Sequence, residues 1–533
     1  METFLATETL VIELLLVVSI VAIAVRRMKI PYTVALVVVG LLITFQQPLE
    51  VDLTPQLILS LFVPPLVFEA AFHIEFKNLR QNLMAILGLA IPGVLITTFI
   101  VGGIVSYVLN IPMMTALVFG ALISATDPVA VVSLFKALGA PKRLSTLVES
   151  ESLFNDGTAI VIFQLMLAAA LMSAGGIGAE HTEGSISLLA GSIDFIRVAA
   201  GGILIGVGLG WVIAQIIARV DDYLIETTLT TVLAFGAFLV AERFHVSGVL
   251  AVVAAGIITG NVGPRGMSPT TKIVLFNFWE YLAFIANSLV FLLIGLDVNV
   301  PEIGAAIVPI TVALGAVLFS RMLVVYGITS LINMRLKHTP IPFSYQHVLF
   351  WGGLRGAISL ALALSLPLAL PQRDLLRTMT FGVVLFTLLA QGTTMQYLMR
   401  WLGIGQPENV ELEYERRHGR LMGAQASLQS LERLNRDKLI TQATWEELEP
   451  KLRLEVEGHL KDQQSLIAEH PELQNEERED AELEALRARR AVLGEMLSSG
   501  VISELVFDEL ITEVDEKIGK IREILDAHIE EQE

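Results

Sequence analysis

The chain has 533 residues, 54% of them apolar and only 17% charged, with a mean hydropathy of +0.66. That excludes a soluble globular protein of this size and implies a polytopic membrane protein. Residues 1–403 carry 20 basic and 22 acidic side chains and the remainder 16 and 32, so the net charge of −18 falls almost wholly in a hydrophilic C-terminal region. Its acidity argues against nucleic acid or anionic lipid as a partner of that region, because phosphate recognition needs a cationic surface. The absence of cysteine removes disulfides, thiolate metal sites and thiol catalysis together.

Met1 to Thr9 lacks the basic stretch and cleavage site of a signal peptide, so the first apolar run is expected to be a retained helix. Runs of spanning length recur at 9–25, 31–48, 53–76, 83–109, 113–138, 144–174, 195–218, 224–242, 246–264, 273–297, 303–333, 343–370 and 375–402. An unpaired backbone group in hydrocarbon is costly, so these should be helices. The expected architecture is all-α, with about thirteen transmembrane helices over residues 1–403 and an acidic helical cytoplasmic domain over 404–533. Lipid surrounds the first part.

Lysine and arginine are retained on the cytoplasmic side of short loops. Arg26, Arg27 and Lys29 follow span 1, Lys77 and Arg80 span 3, and Lys136, Lys142 and Arg143 span 5; Arg219, Arg265, Lys272, Arg335 and Lys337 continue on alternate loops. The N-terminus is therefore expected outside and the tail inside. Arg373 and Arg377, after span 12, run against the trend.

With thirteen spans, 1–6 can repeat as 8–13 in inverted topology, and span 5 then matches span 12. Each carries an ionisable residue in a helix-breaking setting, Thr126-Asp127-Pro128 in one and Gly352-Gly353-Leu354-Arg355-Gly356 in the other. Matched interrupted helices in two halves point to a transporter's midplane site.

Three acids stand at the centre of the functional reading. Asp127 precedes a proline, a good arrangement for restarting a helix after a break. Inside a membrane such a break also frees carbonyls and amides that must face protein or a wet cavity, and there the acid reads as a cation site. On an ideal helix Glu151, Ser152, Asn155 and Asp156 fall at about 0°, 100°, 40° and 140°, one polar sector of span 6. Packing glue accounts for Ser152 and Asn155 but not for two acids. Hard cations prefer oxygen ligands, and a carboxylate can exchange a cation for a proton on the same atoms, which couples the two fluxes. Arg321 and Arg355 need partners inside the membrane. Glu151 is a candidate for one, which leaves Asp156 as the exchanging group beside Asp127. Glu69, His73 and Glu75 close span 3, where a cation-concentrating funnel and ordinary interfacial polarity are both open readings. Gly201-Gly202 and Gly206 to Gly210 suit close helix packing.

Beyond Gly403 a faint repeat appears at an offset of 62 residues: Leu431, Leu434, Leu439, Ile440, Thr441, Trp445 and Leu448 answer to Leu493, Met496, Val501, Ile502, Ser503, Phe507 and Leu510. Each copy reads as helix, turn, helix. Thr444 with Glu447 is expected to form a capping box, and Pro471 to separate the copies. An assembly or stability module and a regulatory one are the two readings.

Ser124-Ala-Thr-Asp127-Pro128-Val-Ala-Val, Glu151-Ser-Leu-Phe-Asn155-Asp156-Gly157 and Gly352-Gly-Leu-Arg355-Gly-Ala resemble the signatures of sodium/proton antiporters of the cation:proton antiporter-1 family, bacterial relatives of animal sodium/proton exchangers. The resemblance covers residues 9–403 and not the tail. It implies a thirteen-helix inverted-repeat fold, a homodimer, and a six-helix core with crossing, unwound helices 5 and 12 that moves in an elevator-like cycle. It also implies that Asp127, Ser152 and Asp156 bind the cation, that Thr126 lends a backbone oxygen, and that Glu151 acts directly or through water. Arg321 and Arg355 correspond to core arginines, and the Asn155-Asp156 pair is similar to that of electroneutral exchangers.

The expected protein is thus a secondary antiporter of the cytoplasmic membrane, not an enzyme, exchanging one Na+ or Li+ for one H+ with no cofactor and serving pH homeostasis. A K+/H+ antiporter of the same fold is the near alternative; a cation channel or ion sensor, with the tail as effector, comes from another class. No nucleophile-and-base or metal-ligand set supports an intramembrane enzyme.

Overall fold

The computed structural model describes residues 2–28, 32–46, 58–173, 188–220, 222–263, 269–297, 300–335, 340–404 and 410–469, with scattered positions from 478 to 518. Among the described residues all regular structure is helical. The chain divides into two compact units, Met1–Gly405 and Gln406–Glu533.

In the first unit the helices are α1 (Glu2–Met28), α2 (Tyr32–Gln46), α3 (Val63–His73), α4 (Phe76–Ala90), α5 (Pro92–Leu109), α6 (Met113–Leu122), α7 (Val129–Leu138), α8 (Lys142–Ser173), α9 (Leu188–Ile217) and α10 (Tyr223–Arg243). They continue as α11 (Gly248–Val262), α12 (Pro269–Asp297), α13 (Val300–Ala305), α14 (Ile307–Arg335), α15 (Phe343–Trp351), α16 (Ala357–Leu364), α17 (Arg373–Phe386) and α18 (Thr393–Trp401). Seven helical stretches among the described residues are long and apolar enough to cross a membrane, the longest running from Phe76 to Leu109 through α4 and α5. Shorter apolar helices include α6 and α11. Away from its ends a helix satisfies its backbone groups internally, as hydrocarbon demands.

Several boundaries differ from the sequence expectation for identifiable reasons. Helix α4 begins at Phe76 instead of 83, because Lys77, Arg80 and Gln81 line its exposed side while Leu79, Asn82, Ala85 and Ile86 are buried. Helix α16 stops at Leu364, short of 370, with Pro367 and Pro371 ahead of it. π-helical turns occupy Ile58–Phe62, leading into α3, and Thr387–Gly392, joining α17 to α18. The start of predicted span 3, and Lys29, Arg265 and Lys337, lie outside the described residues.

Small residues bring helix backbones together. A Cβ on Gly206 of α9 would lie 2.1 Å from the Ala251 carbonyl oxygen of α11, and one on Gly202 would lie 2.4 Å from that of Ser247. Gly202, Gly206 and Gly210 therefore act in packing, whereas Gly208 faces open space, and the four-residue step on both helices shows that α9 and α11 run parallel there. Gly40 of α2 and Gly295 of α12 meet in the same close manner, as do Gly260 of α11 and Phe72 of α3.

In the second unit, α19 (Val410–Arg436) and α20 (Gln442–Glu469) pack together. Arg417 donates to the Asp462 carbonyl at 2.7 Å and Gln463 meets His418 at 3.1 Å, tying the start of α19 to the end of α20. The expected capping box is one turn displaced. Helix α20 starts at Gln442, so Thr441 is the cap and its Oγ1 accepts from the Thr444 amide at 3.3 Å. Thr444 stands at the third helical position, and Glu447 pairs with Lys451 instead. The turn between α19 and α20 recurs 62 residues later: Leu439 N bonds to Leu434 O at 2.9 Å, and Val501 N to Met496 O at 2.9 Å. Leu493, Val514 and Ile518 form a small core there, with Ile502 and Phe507 against it. Pro471 lies outside the described residues.

Candidate functional site

The backbone leaves the helix after Leu122 and resumes it at Val129; it leaves again after Trp351 and resumes at Ala357. Proline explains the first interruption, since Pro128 lacks an amide hydrogen and disfavours helix at Asp127. The second is glycine-rich, and its last residue, Gly356, is extended. The two breaks touch: the Asp127 amide donates to the Leu354 carbonyl at 2.8 Å.

Four half-helices thus end in one place, and their end charges are matched. Asp127 stands at two N-termini. Its Oδ1 accepts from the Val129 amide of α7 at 3.0 Å, and its carboxylate also accepts from the Ala357 amide of α16. Arg355 and Arg321 stand at the two C-termini. Arg355 Nη1 donates to the Ser124 and Ala125 carbonyls beyond α6, at 2.8 and 3.1 Å. Arg321 donates to the Leu349 carbonyl of α15, at 2.9 Å through Nη2. Negative charge at helix N-termini and positive charge at C-termini is the favourable arrangement. Asp127 therefore does act as a helix cap, and does so for both broken helices.

Helix α8 crosses this point and presents its polar sector to Thr126. Ser152 Oγ donates to the Thr126 carbonyl at 2.5 Å, Asn155 Nδ2 reaches Thr126 Oγ1 at 3.4 Å, and Asp156 accepts from the Thr126 amide. Glu151 receives a two-pronged contact from Arg321, 2.8 Å to Oε1 and 3.0 Å to Oε2. Both side chains are buried. Asn155 also donates to Glu151, at 3.3 Å. Of the two arginines, Arg321 is thus the ion-pair partner of Glu151, whereas Arg355 is spent on carbonyls that the break set free.

Two buried oxygens in this cluster, Asn155 Oδ1 and Asp156 Oδ1, have no hydrogen-bond partner among the described residues. Asp156 is 9% exposed and Asn155 2%, while Asp127 is half-buried. Buried polar atoms are nearly always paired, so oxygens left without donors fit a ligand that accepts from none and gives positive charge. Asp127, Asp156, Ser152, Asn155, Thr126 and Glu151 are therefore brought together, with Arg321 and Arg355 behind them.

Glu69 and His73 are not part of this network. His73 Nδ1 bonds to the Glu69 carbonyl at 2.8 Å and lies 3.4 Å from its carboxylate, at the end of α3. Glu75 accepts from Asn78 at 3.1 Å. Sequence reasoning missed the carbonyls of Ser124, Ala125, Leu349 and Leu354, which carry no side-chain signature. It also missed Ser359, whose hydroxyl donates to Ala125 O at 3.3 Å, and Thr387, which accepts from the Arg355 amide at 3.2 Å.

Interrupted helices that meet among buried acids and arginines, in a bundle of apolar helices, are the arrangement found in ion-coupled membrane transporters. The chain matches the sodium/hydrogen exchanger transmembrane family over residues 14–401, and it belongs to that family. It is 34% identical over 507 residues to the low-affinity Na+/H+ antiporter NhaS1 of Synechocystis sp., covering 92% of both chains. It is 42% identical over 377 residues to the Na+/H+ antiporter ApNhaP of Aphanothece halophytica, covering 70% of each. Its fold is similar to that of the sodium proton antiporter MjNhaP1 from Methanocaldococcus jannaschii, with a TM-score of 0.61 and 22% identity, over 76% of this chain and all of that one.

Proposed function

We propose that the protein exchanges Na+ or Li+ for H+ across the cytoplasmic membrane, one for one, at the cluster of Asp127, Ser152, Asn155 and Asp156. The observation that carries this reading is the pair of unpartnered buried oxygens on Asn155 and Asp156, beside a second acid at a helix break. The cation is the substrate, and these oxygens suit a hard ion. Thr126 lends its carbonyl and hydroxyl to the framework that spaces them.

The cycle follows from shared atoms. Asp156 holds either the cation or a proton, so binding of one expels the other. Asp127 is held between two helix N-termini and Glu151 is neutralised by Arg321, which leaves Asp156 as the one freely exchanging carboxylate. One exchangeable charge gives electroneutral transport.

Alternating access is assigned to an elevator movement of a core of six spans, 4–6 and 11–13, formed by α4–α8 with α14–α18, past a scaffold that serves as the homodimer interface. An inverted repeat supports this division. Spans 2 and 10 pack through Gly40 and Gly295, and their counterparts seven spans on and back, 9 and 3, pack through Gly260 and Phe72. Spans 5 and 12 carry the paired breaks. The basic loops put the N-terminus outside, and an odd number of spans then puts the tail, with two helical hairpins, in the cytoplasm; Glu69 and His73 then stand at the cytoplasmic mouth.

The experiment is a cation screen of the purified protein in proteoliposomes, following proton flux on addition of Na+, Li+ or K+. Asp156→Asn and Asp127→Asn are expected to abolish flux while the proteins still fold. Near-normal exchange in both would overturn the site, K+ as the preferred ion would overturn the substrate, and a dependence on imposed voltage would overturn the stoichiometry.

A further inference from the structure

The peptide unit joining Leu354 to Arg355 lies at the centre of the second break and is held at both ends. Its carbonyl accepts the amide of Asp127 at 2.8 Å; its N–H donates to Thr387 Oγ1 at 3.2 Å. In a trans peptide these groups point in opposite directions, so the unit is stretched between an acid of the site and a hydroxyl of the last span. Thr387 is 0% exposed and Arg355 1%, so water does not compete for either.

The hydroxyl is suited to this task by its own bonding. Thr387 Oγ1 donates its proton to the Val384 carbonyl at 3.0 Å, which leaves lone pairs facing the Arg355 amide. Thr387 is also the first residue of the π-helical turn Thr387–Gly392. Such turns break the regular register of a helix and occur frequently at functional sites. The same turn reaches along the break, since a Cβ on Gly392 would lie 3.8 Å from Leu354 Cδ1. Two separate elements, a broken helix and a π turn, therefore converge on one peptide that touches the backbone of Asp127.

We propose that Thr387 is a positioning residue of the ion site: it fixes the Leu354–Arg355 peptide, and through it the backbone of Asp127 against α8. It touches no ion. Its removal shifts the carboxylate of Asp127 relative to Asp156 and leaves a buried amide unpaired. The inference rests on the site proposed above.

The test compares Thr387→Val, nearly the same shape without the acceptor, with Thr387→Ser, which keeps it. Sodium-driven proton flux in proteoliposomes and sodium-dependent thermal stabilisation are measured for both, with Asp156→Asn as control. Thr387→Val is expected to raise the half-saturating sodium concentration about tenfold with a smaller change in maximal rate, in line with loss of one buried hydrogen bond. Thr387→Ser is expected to stay within about twofold of the parent, judged against the same hydrogen-bond scale. Thr387→Val with parental half-saturation, or Thr387→Ser as impaired as Thr387→Val, overturns the proposal. If Thr387→Val fails to fold, Thr387→Ala is read by the same criterion, with the same two outcomes. Exchange surviving in Asp156→Asn would overturn the site itself; loss there with normal Thr387→Val would overturn only the role of Thr387.

Discussion

Asp127 and Gly356 are matched by subtraction: a Cβ on Gly356 would lie 2.0 Å from Asp127 Oδ2, so the acid fills space that a side chain would need. Glycine there is what lets one carboxylate reach the N-termini of both α7 and α16. Gly356→Ala should drive Asp127 out of this position and remove its caps, each worth about 1 kcal/mol. Sodium-driven proton flux is expected to fall about tenfold or more on that scale. The far scaffold, read by hydrogen exchange in α9 and α11, should be unchanged; normal flux would contradict the shared capping.

Glu151 and Arg321 form a buried two-pronged pair. Breaking one side of such a pair costs roughly 3–5 kcal/mol because the other charge remains without compensation. Glu151→Ala and Arg321→Ala should each lower the thermal unfolding temperature in detergent markedly. The double substitution is expected to be less destabilising than the two effects added. Strict additivity would show that the ion pair is not what holds α8 to α14.

Competition at one carboxylate fixes the direction of the pH effect. On the acid side of the exchange site's titration, each unit of lower pH should raise the half-saturating sodium concentration by up to about tenfold. The maximal rate at saturating sodium should change little by comparison. Half-saturation independent of pH would mean that sodium and proton occupy separate groups.

In the second unit Thr441 caps α20 through the Thr444 amide. Thr441→Ala should destabilise the first turn of that helix by about 1 kcal/mol. Faster hydrogen exchange at Thr444 and Trp445 in the full chain is the readout. Thr444→Val, which keeps the residue's amide, should have the smaller effect there; the reverse order would restore Thr444 as the cap.

Much of the candidate site was legible in the sequence because it is made of residues that hydrocarbon tolerates poorly. Asp127 before Pro128, and the polar sector of Glu151, Ser152, Asn155 and Asp156, announced themselves by type and spacing. The boundary errors have ordinary causes: amphipathic turns at α4, prolines after α16, and a cap one turn earlier at α20. Backbone ligands left no trace, since every residue has a carbonyl. Thr387 looked like any threonine in an apolar run.

By itself the sequence determined that the chain spans a membrane, where its charge is segregated, that two helices are interrupted, and which acids lie among them. These follow from local chemistry: apolar runs, proline, glycine, and the angular step of a helix. Tertiary structure alone decided how those parts answer one another. It assigned Arg321 to Glu151 and Arg355 to the freed carbonyls of Ser124 and Ala125, put Asp127 at two helix starts at once, and left one oxygen each on Asn155 and Asp156 without a partner. Such pairings depend on distances between segments more than a hundred residues apart, which no local pattern encodes.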